Sequence, residues 1–174
     1  MDEQRDGQDG EGRKPEGGGG GFVAAERARR LAVLDGLRER GIDPYPVGFA
    51  RDQTVAQARA QGASLTAGTE TADAVRLAGR VMALRRHGGL IFADLRDQTG
   101  TVQLLLRRDV LGDVAFADVA ALNRGDWVGV DGTLMATRTG ELSVAVTACT
   151  LLSKSLRALP DPRTGLTDVD TRYR

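Results

Sequence analysis

Two heptads, LIFADLR and TVQLLLR, hold the side chains whose types and spacing suit chemistry best. In the first, Ile91, Ala93 and Leu95 alternate with Phe92, Asp94 and Arg96. In the second, Val102, Leu104 and Leu106 alternate with Gln103, Leu105 and Arg107. Period-two alternation places each set on one face of a strand. If the heptads pair, one outer face collects Phe92, Gln103 and the two cations Arg96 and Arg107. A ring can stack a base, an amide can pair with its edge, and cations can meet phosphate. Alternation alone leaves a second role open for Phe92, closing one end of the fold or packing under the N-terminal helices.

Other chemistries find few residues. Cys149 is the one cysteine and His87 the one histidine. No disulfide framework or zinc set can form, and a Ser-His-Asp or Cys-His arrangement would depend on His87 alone. His87 reads as an exposed loop residue before Gly88-Gly89. No Gly-rich phosphate loop, paired-carboxylate site or metal cluster stands out.

The elements that must position the face come in a defined order. VRLAGRVMALRR reads as a first strand with Val75, Leu77 and Val81 inward and Gly79 at a bend. The two heptads follow. A helix over 113–123 buries Phe116, Val119 and Leu122. DWVGVDGTLMA and ELSVAVTACTLL supply two more strands, with Leu142, Val144, Val146 and Ala148 on the inner face. Trp127 falls on the other face from Val128 and Val130, as a second stacking residue or under a neighbouring segment. Strand, strand, strand, helix, strand, strand is the order of an OB-fold, a five-stranded Greek-key barrel. The predicted class is mainly β with flanking helices, the barrel being preceded by N-terminal helices.

Around the barrel, residues 1–21 form a Gly-rich tail with six acidic and three basic residues, expected to be disordered. Residues 22–62 form a helical segment. Its first helix runs over 23–40 with Leu31, Leu34 and Leu37 on one stripe. Arg27, Arg29, Arg30, Arg38 and Arg40 lie elsewhere, on a solvated face or along a phosphate backbone. Thr54 and Gln57 make a capping-box pair for a second helix that Gly62 ends. Residues 63–74 read as a linker, 75–152 as the barrel, and 153–174 as a connector that buries nothing obvious. Formal net charge is zero, so charge names no partner. No apolar run approaches the roughly 20 residues of a membrane span, and the N-terminus has no apolar signal core. A cytoplasmic setting is expected.

Several ordered stretches resemble the N-terminal anticodon-binding region of class II lysyl-tRNA synthetase. They are Arg30-Leu31 with GIDPYPVGF, VRLAGRVMALRRHGGLIFADLRDQTGTVQLLLRRD, GDWVGVDGTLMATRTGELSV, LLSKSLRALPD and GLTDVDTRYR. The resemblance implies a barrel that reads the lysine anticodon of tRNA. It places the base-stacking phenylalanine on Phe92, the base-reading glutamine on Gln103, and the acidic loop residue on Glu141. Basic residues at the end of the first strand fall on Arg85 and Arg86, while Leu84 replaces one of them. Leu105 stands where an aromatic is common, and Ala158 where a proline is usual. The family continues past its RYR sequence into a catalytic domain whose class II motifs do not follow Arg174. The resemblance therefore implies the front part of a lysine–tRNA ligase, inactive by itself. ATP, magnesium and a homodimer are implied for the full-length parent, and no cofactor for these residues. Aspartyl and asparaginyl synthetases share the barrel. The alternative readings are a stand-alone OB-fold module for single-stranded nucleic acid, and a structural or dimer-forming fragment.

Overall fold

Apolar side chains at every second position build the barrel wall. The computed structural model describes residues 18–160, with Gly165 and Tyr173. Two helices come first, α1 (Gly18–Glu39) and α2 (Val55–Gln61). The strands β1 (Glu70–His87), β2 (Leu90–Arg96) and β3 (Thr101–Arg107) follow, then α3 (Arg108–Ala120), β4 (Trp127–Ala136) and β5 (Leu142–Ser153). The sheet closes as β1-β2-β3-β5-β4, antiparallel except where β3 meets β5. Closure leaves no free sheet edge. Leu77, Ile91, Leu95, Leu104, Leu106 and Leu134 are fully buried inside. The expected five-stranded barrel with flanking helices is the observed one. No helix among the described residues is long and apolar enough to cross a membrane.

β1 is long because it serves two neighbours. Its first part pairs with β4 and its last part with β2, and Arg80 pairs with both. Gly79 sits at that handover, where an added Cβ would lie 2.7 Å from the Arg96 carbonyl oxygen. Residues 70–74, expected in a linker, are the start of β1, with Glu70 opposite Met135 and Ala74 opposite Thr133. ETADA carries no apolar alternation. It becomes a strand because the end of β4 offers backbone donors and acceptors that need partners.

Two register shifts change which side chains face inward. Val81 pairs with Leu95 but Ala83 pairs with Asp94, so Met82 is an extra residue. On β5, Ala148 pairs with Asp131 and Val146 with Gly132, leaving Thr147 extra. Ala148, expected inside, is therefore exposed, and Cys149 and Leu151 pack against the core instead. Burial pushes the Cys149 thiol up to about 12.

The helices depart from expectation at their ends. α1 begins at Gly18, so the last four residues of the expected tail lie in it; residues 1–17 lie outside the described residues. α3 starts at Arg108 and kinks at Gly112 (φ 78°), and Phe116, Val119 and the following Leu122 are buried. The Thr54–Gln57 capping box on α2 is present, with Gly62 as its C-cap.

Asp97 ties α2 to the β2–β3 turn. Its side chain, 5% exposed, accepts from the amides of Val55 (2.9 Å), Thr99 (2.7 Å) and Gly100 (3.0 Å) and from Thr99 Oγ1 (2.7 Å). Burial pushes its pKa up, but the bonds from Thr99, Val55 and Gly100 outweigh this and hold it below the ordinary 3.8. The unfolded chain thus binds the proton first as pH falls. The stabilisation is whole above 3.8 and is lost as pH drops through the lower folded value. Asp97→Asn should cost about 1–3 kcal/mol at neutral pH. Urea melts at neutral and acid pH check this; a cost that does not shrink in acid would mean the carboxylate charge is not responsible.

The connector is anchored, contrary to expectation. Lys154 is 3% exposed and Asp126 0%, and their Nζ–Oδ2 distance is 2.7 Å. Lys154 Nζ also donates to Asn123 Oδ1 at 2.6 Å. Burial draws the Lys154 pKa below its ordinary value, and the Asp126 hydrogen bond opposes that shift. Arg30, expected on an exposed or RNA-facing side of α1, is 4% exposed. It donates to Glu26 Oε1 and to the carbonyls of Arg124, Ser155 and Arg157. α1 and the connector are thereby fastened to each other beside β4.

Candidate nucleic-acid interface

The register of the barrel wall sets the candidate face. Directly opposed residues on neighbouring strands share a side of the sheet. Arg85 opposes Phe92, Phe92 opposes Leu105, and Leu105 opposes Ala145. The next row holds Ala83, Asp94, Gln103 and Ser143. On the other side of the Phe92 row, His87 opposes Leu90 and Leu90 opposes Arg107. Phe92, Gln103, Arg85 and Arg107 therefore share three adjacent rows of one outer surface.

Arg85 is there because of the Met82 bulge. Counting by twos from Val81 would turn Arg85 into the barrel. One extra residue reverses the parity and sets Arg85 beside the ring. Arg86 is not a free cation, since it donates to the carbonyls of Ala120, the last residue of α3, and Leu122 just beyond it.

Phe92 is half-buried and stands outside the apolar core cluster. Its ring meets His87 edge-on, with centroids 6.4 Å apart at 66°. It does not fill the barrel interior. His87 was missed as a neighbour of the face because a turn histidine carries no sign of which ring it will touch.

Gln103 is oriented by Ser143, whose hydroxyl lies 3.0 Å from Gln103 Oε1. With its oxygen engaged, the amide keeps two N–H donors for another partner. The same hydroxyl lies 3.3 Å from the Glu141 carbonyl. Thr137 and Glu141 close the β4–β5 loop on each other: the Thr137 amide donates to the Glu141 carbonyl (2.9 Å), and Thr137 Oγ1 accepts from the Glu141 amide (3.0 Å). Glu141 itself is exposed. Ser143 thus connects the loop to the Gln103 amide. Alternation set it opposite Val144 but could not reveal a partner across a parallel strand pair.

The cations are partly compensated. Arg85 pairs with Asp94 at 3.0 Å and Arg107 with Asp109 at 3.7 Å, all four side chains being solvent-accessible. Exposed pairs of this kind contribute about 0–1 kcal/mol, so a phosphate can compete for either guanidinium. Among the described residues no group of three or more His, Cys, Asp or Glu side chains could hold a metal ion.

Comparison with known proteins bears on the barrel as a whole. The model of the OB-fold nucleic acid binding domain, tRNA anti-codon type, matches residues 75–152. A lysine–tRNA ligase of Magnetococcus marinus is 44% identical over 149 residues, covering 84% of this chain and 30% of that protein. Lysine–tRNA ligase 2 of Methanosarcina acetivorans is 42% identical over 146 residues, 83% of this chain and 28% of its own length. One from Xylella fastidiosa is 45% identical over 158 residues, 88% and 30% respectively. The chain spans about 30% of the length of these relatives.

Proposed function

We propose, since residues 75–152 belong to the OB-fold nucleic acid binding domain family and the chain is homologous to lysine–tRNA ligases, that it binds the anticodon of a lysine tRNA. The observation that carries the reading is the juxtaposition of Phe92 with a Gln103 amide whose oxygen is already engaged by Ser143. A base stacked on Phe92 would bring its edge toward the two N–H donors of that amide. Uracil offers carbonyl acceptors there. The exposed Glu141 carboxylate would accept from its imide N–H and disfavour a base, such as cytosine, that has a lone pair in place of that N–H. Arg85 and Arg107 would meet phosphate, which carries the same charge at every nucleotide, so they position without reading.

In the same proposal the domain presents tRNA to the remainder of a ligase that attaches lysine with ATP, in a cytoplasmic homodimer. Magnesium, implied for that whole enzyme, finds no donor set among the described residues, and no step is derived through it.

The test is titration of two anticodon stem-loops, with uridine or cytidine at the centre, at two salt concentrations. The parent is expected to prefer uridine. Gln103→Ala and Glu141→Ala should narrow that preference. Arg107→Ala should weaken both RNAs equally and flatten the salt slope by about 0.7, the value for one single-strand phosphate. A changed uridine-to-cytidine ratio in Arg107→Ala, with none in Gln103→Ala, would reverse the reading and positioning roles.

A further inference from the structure

A second aromatic–cation group lies on the same outer wall. Trp127, the one tryptophan of the chain, opens β4 and is 38% exposed. Its inward neighbour Val128 is fully buried, so the indole is on the outside. Arg80 opposes it across β1, with its guanidinium carbon 5.3 Å from the ring centroid. Arg80 in turn opposes Arg96 on β2, and Arg96 opposes Thr101 on β3. Four strands thus line up Trp127, Arg80, Arg96 and Thr101.

Like charges directly opposed across a sheet are destabilising. Three other arginines on the wall have carboxylate partners: Arg76 with Asp131, Arg85 with Asp94, and Arg107 with Asp109. Among the described residues Arg80 and Arg96 form no ion pair. Two opposed cations without a carboxylate partner, one of them set against a part-exposed indole, are suited to an anion that also carries a flat ring.

We propose that Trp127, Arg80 and Arg96 form a second nucleotide subsite, stacking a base on the indole and holding its phosphate between the two guanidinium groups. The proposal rests on single-strand binding at Phe92. Arg96 follows Phe92 by four residues on the same face of β2, a distance of about 13 Å at the rise of a strand. An OB-fold covers about 4–16 nucleotides of single strand, so a chain stacked on Phe92 reaches Trp127 without leaving the wall. Asp94, the acidic residue between them on β2, pairs with Arg85 at 3.0 Å in the free chain.

Trp127 reports on its own site. Binding of a labelled oligouridylate of about 12 nucleotides, within the site size of one OB-fold, is followed by anisotropy and by tryptophan emission of the unaltered chain. Emission should be quenched on binding, and still quenched when Phe92→Ala is saturated at higher RNA concentration. Trp127→Leu should weaken binding about 5- to 150-fold, the range for one stacked base. Arg80→Gln with Arg96→Gln should reduce the salt slope by about 0.7–1.4, for one or two single-strand phosphates. If the RNA binds and Phe92→Ala weakens it, yet emission is unchanged and Trp127→Leu binds like the parent, the subsite is overturned and the Phe92 reading stands. If anisotropy shows no binding at all, both fall.

Discussion

Asp126→Ala is expected to remove about 3–5 kcal/mol of folding stability, the cost of stranding one partner of a buried ion pair. The carboxylate takes three short bonds, from Lys154 Nζ (2.7 Å), the Asn123 amide (2.8 Å) and the Ser155 amide (2.9 Å). Without it the buried ammonium keeps only Asn123 Oδ1 among these groups, and two amides lose their acceptor. Damage should spread along the connector. The Lys154 carbonyl accepts from the Tyr45 hydroxyl at 3.1 Å, and the Lys154 amide donates to the Pro44 carbonyl at 3.3 Å. At about 2–4 °C per kcal/mol for a chain of this size, the midpoint should fall by about 6–20 °C. Removing both charges, as Asp126→Leu with Lys154→Met, should recover only the part due to the stranded ammonium, because the Asn123 and Ser155 amides still lack their acceptor. Urea and thermal melts decide it. A single-mutant cost below about 1 kcal/mol, the value of an exposed pair, would show that water reaches the ammonium.

Phe92→Ala should weaken binding to a uridine-rich anticodon stem-loop about 5- to 150-fold, from about 1–3 kcal/mol of stacking. Because Phe92 lies outside the core cluster, the fold should survive the change. Leu104→Ala, on the neighbouring strand but facing inward and 1% exposed, is the opposite control. It should cost about 2–5 kcal/mol of stability while the folded fraction binds RNA normally. Unchanged affinity in a folded Phe92→Ala protein would make the ring structural and withdraw the site assignment.

Alternation made β2 and β3 legible. Ile91, Ala93, Leu95, Val102, Leu104 and Leu106 are buried as their spacing requires, so Phe92 and Gln103 had to share the outer wall. Arg85 was different. It came from family resemblance, because counting from Val81 points it inward. The Met82 bulge is a mismatch in length between β1 and β2, and such a mismatch belongs to the pair of strands rather than to either one. The same holds for Thr147, which exposed Ala148 and turned Cys149 inward.

The connector shows the other limit. Lys154 looks like a surface residue because an isolated ammonium is too costly to bury. Only the meeting of β4's leading turn with the end of β5 supplies Asp126 and Asn123 to it. Arg30 is hidden likewise among carbonyls 94–127 positions away in the chain. What the sequence by itself determined is the strand order, the inner face of most strands and the common outer face of Phe92 and Gln103, since these follow from local periodicity. What only the tertiary structure decided is the parity beyond each bulge, the Ser143 hold on Gln103, the opposed Arg80 and Arg96, and the buried Lys154. Each depends on which backbone lies alongside, and no period within a single strand encodes that.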